Sequence, residues 1–139
     1  MAVYSETLPV KTKGEVQAID ISRDVAAAIH RSGLRNGIAC VFSSSSTSAV
    51  VANESDANVD EDLAVLLERV APRGHRYRHE EKWHDGNGHS HVRASLLGQS
   101  FTFPFEDGRP QLGRWQQIWF LELDNKPRAR EVIVKLVGE

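Results

Sequence analysis

Histidine is concentrated in one short part of this sequence. Five of the six histidines lie within Arg73–His91; they are His75, His79, His84, His89 and His91. Imidazole nitrogens bind Zn²⁺ and similar divalent ions, and a site with three protein ligands keeps one position open for water or substrate. The concentration of histidines therefore indicates a metal site. The alternative is a polar loop with solvated side chains.

The spacing of three of these histidines favours them as metal ligands. His89 and His91 are two residues apart, and on a β-strand two such side chains point to the same face. His79 lies ten residues before His89, far enough for the chain to fold back, and Asp85 lies between them. We therefore expect a divalent cation, Zn²⁺ or Mg²⁺, to be bound by His79, His89 and His91.

Four polar residues are candidates for catalysis. Asp85 and Asn87 lie inside the histidine-rich segment and offer a carboxylate and an amide. Arg93, two residues beyond His91, would share its face on a strand and can neutralise a phosphate; the competing interpretation is an ordinary surface arginine. Glu54 ends a predicted strand and is suited to act as an acid, a base or a metal partner.

A run of hydroxyl side chains, Ser43–Ser48, favours anion binding. Hydroxyl and backbone N–H groups at a turn between strands can surround a phosphate, although serine-rich turns are also common without any ligand. Gln117, which follows a glycine-bounded turn, can contact a ring or a phosphate. The residues predicted to bind an anion are Ser45, Ser46, Thr47, Arg93 and Gln117.

The composition excludes several classes of protein. The 139 residues include 17 Lys and Arg and 19 Asp and Glu, so the formal net charge is −2. A chain so close to neutral has no overall field to attract nucleic acid or an anionic membrane. No apolar run reaches the roughly 18 residues that span a bilayer, and Met1–Lys13 lacks the pattern of a signal peptide. With Cys40 as its single cysteine, the chain is expected to be a cytoplasmic protein without an intrachain disulfide.

The hydrophobic pattern of the first half predicts a hairpin and two helices. Val3–Thr7 and Glu15–Ile21 alternate between apolar and polar residues and predict the two strands of the hairpin. Helices are predicted over Ser22–Gly33 and Asp60–Pro72, with Ser22 and Asp60 as N-caps. Because strands and helices do not alternate in βαβ fashion, we predict one α+β domain, residues 1–139, with a mostly antiparallel sheet.

The second half is predicted to contain a loop and then strands. The segment Arg73–Ser90 shows no periodicity and predicts a long loop. The strands predicted in the chain after the first helix are Ile38–Phe42, Ser48–Glu54, Val92–Leu97, Phe101–Phe105, Gln116–Leu123 and Glu131–Val137.

The sequence resembles the YjbQ family over essentially its whole length, most strongly from Tyr77 to the end and less strongly before Ser46. The resemblance is carried by Gly86–Gly98 (Gly-Asn-Gly-His-Ser-His-Val-Arg-Ala-Ser-Leu-Leu-Gly), by Trp115–Ile118 and by the ending Arg130–Glu139. Tyr77-Arg78-His79 matches the family's Tyr-x-His. Members of this family are described as secondary thiamine-phosphate synthases.

The resemblance implies a fold, an assembly and a ligand. It implies a compact, mostly antiparallel β-sandwich of the jelly-roll type with two helices, assembled as a homotrimer. It also implies a metal ion or an anion in a cleft lined by histidines. One difference bears on the chemistry: Ser45 stands where many relatives have a histidine, and a serine cannot replace that histidine as a base.

The reaction implied by the resemblance joins hydroxymethylpyrimidine diphosphate to thiazole phosphate with loss of pyrophosphate. A divalent ion and Arg93 would offset the charge on the leaving pyrophosphate, and no strong nucleophile is needed. Two alternatives stay open. One is a metal-dependent hydrolase, and the other is a homotrimer that binds a metal or an anion without catalysis.

Overall fold

The computed structural model describes residues 1–139 and contains eight strands and four helices. The strands are β1 (Ala2–Lys11), β2 (Gln17–Asp20), β3 (Gly37–Ser43), β4 (Ser48–Asn53), β5 (Ser100–Glu106), β6 (Arg109–Pro110), β7 (Gln117–Glu122) and β8 (Ala129–Gly138). The helices are α1 (Ser22–Ser32), α2 (Ala57–Val70), α3 (Arg78–Trp83) and α4 (Gly88–Leu97). The predicted α+β class is confirmed, with four helices instead of the two expected.

The strands form two antiparallel sheets. The first has the order β1-β8-β3-β5-β6 and the second the order β2-β7-β4. β1 and β8 pair over their full length, from Ala2 opposite Gly138 to Lys11 opposite Ala129. The first and last strands of the chain are therefore neighbours in one sheet.

The hairpin predicted at the start of the chain is wrong. β1 pairs with β8 in the first sheet, whereas β2 pairs with β7 in the second, so the chain crosses between sheets after Lys11. Gly14 lies in this crossing with φ of +133°, a conformation that favours glycine. Alternation of apolar residues fixes the buried face of each strand but does not identify its partner.

Alternation along β7 places it between two layers. Ile118 and Phe120 face the first sheet and join its buried apolar side chains, with α1 packed against the same cluster. Trp119 and Leu121 face the opposite way and pack beneath α2 and α4. The second sheet is therefore covered on one face by the first sheet and on the other by helices.

At one end of the sandwich the inward-facing rows change from apolar to polar. On β7 the row continues from Phe120 to Glu122, and on β8 Arg130 precedes the buried Val132. The side chain of Glu122 is 0% exposed and that of Arg130 is 11% exposed, and the two form an ion pair. An ion pair rather than an apolar contact thus closes this end, which we name the polar end.

The two predicted helices are present, and α2 begins earlier than expected. α1 ends at Ser32 and is followed by Gly33 as the predicted stop, where φ of 72° suits glycine. α2 begins at Ala57 because the side chain of Asp56, not of Asp60, accepts a hydrogen bond from the Asn58 N–H at 2.8 Å. None of the four helices is long and apolar enough to cross a membrane.

The strand predicted over Val92–Leu97 is wrong, because this segment belongs to α4. The buried side chains Ser90, Arg93 and Ala94 are three and four residues apart, which is the helical spacing. Two of them are polar and one is small, so the spacing does not appear as a pattern of large apolar residues. α3 lies in Arg73–Ser90, which was predicted to be a loop.

The start of α4 leaves room only for glycine. A Cβ atom at Gly88 would lie 2.5 Å from Tyr77 Cβ and 2.7 Å from Glu80 Oε1. We expect Gly88→Ala to lower the free energy of unfolding by about 1–3 kcal/mol through this overlap, as measured by urea denaturation. Gly74→Ala is the matched control, since no atom lies within 4 Å of its added Cβ. Equal effects of the two substitutions would contradict the packing described.

Candidate functional site

Four of the predicted site residues meet beside the polar end. His79 of α3 and His91 of α4 have ring centroids 4.3 Å apart, with their planes inclined at 49°. His79 Nε2 lies 3.3 Å from Oδ1 of Asp85. The buried Asn87 has its amide nitrogen 2.8 Å from Asp85 Oδ1 and 3.1 Å from His79 Nε2 when the amide is oriented toward them. We adopt this orientation because it gives the shorter hydrogen bonds.

Asp124 completes the group from the other side. In the adopted orientation the amide oxygen of Asn87 occupies the position 3.4 Å from Asp124 Oδ1, so Asn87 lies between the two carboxylates and makes no hydrogen bond to Asp124. We name the following five residues the histidine–carboxylate cluster: His79, Asp85, Asn87, His91 and Asp124.

Hydrogen-bond donors keep Asp124 ionised. Burial by itself raises the pKa of this carboxyl, but hydrogen bonds from Arg128 and the Asn125 N–H outweigh it, and the pKa lies below its usual value. Arg128 Nε donates to Asp124 Oδ2 at 3.0 Å. Thr47 Oγ1 donates to the same oxygen at 3.2 Å and accepts from Arg130 Nη2 at 2.8 Å. Asp124 therefore links the cluster to the polar end.

The imidazole of His91 is shifted toward its neutral form. Burial lowers its pKa, the neighbouring His79 lowers it further, and Asp85 and Asp124 act in the opposite direction. A neutral imidazole has one ring nitrogen free to accept a proton or to bind a metal ion. His91 is therefore the member of the cluster best suited to act as a base or a ligand.

His89 lies outside the cluster. Two helical residues that are two positions apart point in directions about 200° apart, so α4 sends His89 and His91 to opposite sides. The side chain of His89 is 1% exposed, and its Nε2 lies 2.5 Å from Oε2 of Glu15. The prediction that His89 and His91 share one face is wrong, because it assumed a strand.

Arg93 also lies away from His91. Its side chain is 3% exposed. Nε donates to the carbonyl oxygen of Ala71 at 3.0 Å, and Nη2 donates to Glu68 Oε2 at 2.8 Å. These bonds satisfy the C-terminal end of α2 and join it to α4. The predicted placement of Arg93 beside His91 is therefore wrong, and its guanidinium has a structural task.

The hydroxyls of the serine loop largely bind one another. Ser45 Oγ lies 2.7 Å from Ser48 Oγ and accepts from the Thr47 N–H at 3.2 Å. Ser46 is exposed. Of the loop residues predicted to bind an anion, only Thr47 contacts the cluster, through Asp124.

Glu54 and Gln117 lie at the far end of the second sheet. In the pairing of β4 with β7, Ser48 is opposite Glu122 and Asn53 is opposite Gln117. The length of β4, about 17 Å at 3.4 Å per residue, separates these two ends. Within one chain, Glu54 and Gln117 are therefore not brought to the cluster.

A cavity of about 460 Å³ opens beside the cluster. Its lining has no hydrophobic residue and includes Lys13, Glu15, Arg73, Gly86, His89 and Asn125. Asn125 Nδ2 donates to the carbonyl oxygens of Asp85 and Gly86, each at 3.2 Å. The wall of this polar cavity is therefore continuous with the cluster, and its volume is that of a small-molecule site.

The donors of the cluster are of the kind that divalent ions prefer. However, no three His, Cys, Asp or Glu side chains are arranged to hold one ion. His79 faces Asp85 at 3.3 Å, and His89 is engaged with Glu15. This arrangement does not fit the predicted ligand set of His79, His89 and His91.

Two acids of the site were not predicted, although the sequence carries a signal for them. Glu122 and Asp124 continue the alternating buried row of a strand that is otherwise apolar. A buried carboxylate must be paired, and here the partners are Arg130 and Arg128. The charged residues of the polar cavity lie in loops and give no comparable signal.

Fold and site together define a class of small α+β proteins: two antiparallel sheets, flanking helices, and a histidine–carboxylate cluster at the polar end. The chain matches the family described as UPF0047 protein YjbQ-like over residues 6–139. It belongs to this family, as the resemblance in the sequence predicted.

Relatives and solved structures cover nearly all of the chain. The UPF0047 protein of Methanothermobacter thermautotrophicus is 42% identical over 139 residues, which are 100% of this chain and 95% of that protein. The UPF0047 protein YugU of Bacillus subtilis is 35% identical over 135 residues, 96% of this chain and 98% of that protein. The crystal structure of a YbjQ-like protein of unknown function from Sulfolobus solfataricus has a TM-score of 0.94 at 32% identity and covers 99% of each chain.

The lowered pKa of His91 makes a prediction for pH titration. By NMR we expect His91 to titrate below 6.5, and His79→Ala to raise the pKa by removing a positive neighbour, without full recovery because burial persists. His30→Ala, on the exposed side of α1, is the control and should leave the titration unchanged. A wild-type pKa of His91 at or above 6.5 would refute the assignment.

The same shift predicts how His91 affects stability. The unfolded chain takes up the proton at higher pH than the folded chain, so the contribution is complete above 6.5 and is lost as the pH falls below it. We therefore expect the stability of the wild type relative to His91→Gln to decline on acidification below 6.5. A difference that stays constant in thermal unfolding across this range would contradict the shift.

The position of Arg93 predicts a loss of stability on its removal. Arg93→Ala leaves the Ala71 carbonyl without its donor, and we expect the free energy of unfolding to fall by about 2–4 kcal/mol in urea denaturation. Arg69→Ala, an exposed neighbour on α2, is the control. Unchanged stability together with loss of anion binding would restore the functional interpretation of Arg93.

Proposed function

We propose that the chain is a transferase of the thiamine-phosphate synthase type, possessing this activity as a secondary one. The proposed reaction joins hydroxymethylpyrimidine diphosphate to thiazole phosphate and releases pyrophosphate. The observation that carries the proposal is the shared wall of the histidine–carboxylate cluster and the polar cavity. One small molecule can therefore contact both parts of the site: the cluster, which can orient a ring, and the cavity, which can neutralise a phosphate.

The proposed reaction needs little proton transfer. The lone pair of the thiazole nitrogen forms the new C–N bond with the pyrimidine methylene carbon. The electron pair of the broken C–O bond leaves with the pyrophosphate. The protein must therefore orient the two rings and stabilise the negative charge of the leaving group, and no side chain has to act as a nucleophile.

The cluster offers hydrogen bonds of both kinds to an aminopyrimidine. Asp85 and the Asn87 amide oxygen can accept from the exocyclic amino group, and the N–H of the His91 imidazole can donate to a ring nitrogen. This assigns Asp85 and Asn87 to substrate binding, in keeping with their predicted place at the site. Glu54 and Arg93 take no part in the proposed reaction within one chain.

A divalent ion, Zn²⁺ or Mg²⁺, is retained as a proposal. Mg²⁺ binds through substrate phosphates together with one or two carboxylates, so we expect it to enter with the diphosphate substrate. Zn²⁺ bound by the protein alone would require His79 to leave Asp85. Calorimetric titration of the free protein with each ion distinguishes these two cases.

We also propose that the chain assembles as a homotrimer. Apolar side chains on two helices support an assembly: Leu66 and Val70 of α2 are 53% and 55% exposed, and Val92 and Leu96 of α4 are 40% and 63% exposed. Within each helix the two side chains are four residues apart and therefore adjacent, and adjacent exposed apolar side chains are typical of surfaces that a partner covers. Light scattering should give three times the 15.5 kDa of the chain, and the mass of one chain would refute the trimer.

The transferase is tested by incubating the protein with both substrates and Mg²⁺, with and without Zn²⁺, and measuring products by mass spectrometry. We expect thiamine phosphate and pyrophosphate in equal amounts. His91→Asn should reduce the rate about tenfold or more, the effect of one lost hydrogen bond to the substrate. His30→Ala should retain the wild-type rate.

Three other results would redirect the proposal. No product above the level of His91→Asn would overturn it. Phosphoester hydrolysis that stops on chelation, without condensation, would favour the metal-dependent hydrolase. A rise in melting temperature with ligand but no turnover would favour a non-catalytic binding protein.

A further inference from the structure

We infer that the polar cavity is a pyrophosphate-binding subsite, with Lys13 and Arg73 as its cationic ligands and Glu15 as the residue that positions Arg73. The inference deepens the proposed function, because the diphosphate group of the proposed substrate is the ligand that the cavity would hold. None of these three residues was among those predicted from the sequence.

Lys13 supplies a cation that no carboxylate neutralises. Its backbone N–H donates to Gln17 Oε1 at 2.7 Å, which fixes the chain at the rim of the cavity. Its side chain takes part in no ion pair and lines the cavity. A free ammonium on a flexible stem binds phosphate as a point charge.

Arg73 is brought to the cavity by a buried carboxylate. The side chain of Glu15 is 4% exposed; one of its oxygens pairs with Arg73 Nη2, and the other lies 2.5 Å from His89 Nε2. Arg73 itself is 63% exposed and belongs to the irregular segment between α2 and α3. The contact with Glu15 is an ion pair without a hydrogen bond to Oε1, so the N–H groups of the guanidinium remain available for a ligand.

The charges of the cavity favour an anion in spite of Glu15. Two cations, Lys13 and Arg73, and one carboxylate line it, so its charged side chains leave a net charge of +1. A carboxylate in an anion site repels the ligand unless it is neutralised by neighbours. Because Glu15 is buried between His89 and Arg73, its negative charge is directed at these partners.

The position of the cavity places the reacting bond at its border with the cluster. Gly86 and Asn125 line the cavity, and Asn125 is bonded to the backbone of Asp85. A diphosphate held by Lys13 and Arg73 would therefore direct its attached ring toward the histidine–carboxylate cluster.

The test is calorimetric titration of the metal-free protein with inorganic pyrophosphate. We expect Lys13→Ala and Arg73→Ala each to weaken binding about tenfold, as for the loss of one charge-assisted hydrogen bond. Lys11→Ala and Arg76→Ala are matched controls that remove the same charge from neighbouring exposed positions, and they should stay within about twofold of wild type. Equal binding by the wild type, Lys13→Ala and Arg73→Ala would overturn the subsite.

Glu15→Gln separates positioning from charge. If Glu15 acted only through its charge, its removal would tighten pyrophosphate binding, whereas a positioning role predicts weaker binding although the site becomes more positive. Tighter binding by Glu15→Gln would overturn that role. Arg73→Lys provides a second test should Glu15→Gln fail to fold, because it keeps the positive charge but loses the planar guanidinium. It should also weaken pyrophosphate binding. Wild-type affinity of Arg73→Lys would overturn the positioning role.

The two proposals fail in different ways. If pyrophosphate binds as expected and no thiamine phosphate forms, the transferase is refuted and the subsite stands. If thiamine phosphate forms but KM for the pyrimidine diphosphate is unchanged in Lys13→Ala and Arg73→Ala, the subsite is refuted and the transferase stands.

Discussion

The buried ion pair between Glu122 and Arg130 is the interaction on which the site depends. Arg130 donates from Nε and Nη2 to the two oxygens of Glu122, at 2.8 and 2.6 Å. Thr12 Oγ1 donates to the same carboxylate at 2.7 Å. A carboxylate buried without such partners is strongly destabilising. Because Arg130 also donates to Thr47, the pair fixes the residue that holds Asp124.

This pair lets a β-sandwich end in a polar surface without losing its packing. Apolar rows can be continued by polar residues only if every buried group finds a partner. Here the partners come from distant segments, since Thr12, Glu122 and Arg130 belong to or follow different strands. The chain thus provides a rigid support for the histidine–carboxylate cluster, which itself comes from less regular segments and short helices.

Part of the site could be predicted from the sequence because its polar residues are concentrated in one segment. His79, Asp85, Asn87 and His91 were expected together and do meet, even though the strand assumed for this region is a helix. The assumption of a strand also explains why the predicted positions of His89 and Arg93 are wrong. A period of two and a period of 3.6 select different neighbours for one face, so a wrong element moved both residues to the wrong side.

Other parts depend on contacts that local patterns do not contain. The residues around Glu54 do not indicate that it lies at the end of the second sheet far from the cluster. That location follows from the antiparallel pairing of β4 with β7. The ion pair of Glu15 with Arg73 joins two loops across the fold. The apolar strands and the two longer helices, in contrast, follow from short-range periodicity and agree largely with the structure, although neither Ser22 nor Asp60 is the N-cap of its helix.

α4 places His89 in the wall of the polar cavity and His91 in the histidine–carboxylate cluster, and both belong to one rigid helix. Gly88 seats its first turn under Tyr77, and Arg93 ties its middle to the end of α2. The separation between the rings of His89 and His91 is therefore set by helix geometry and not by side-chain flexibility. A ligand that contacts both imidazoles must be long enough to reach from one ring to the other. The helix therefore selects ligands by their length.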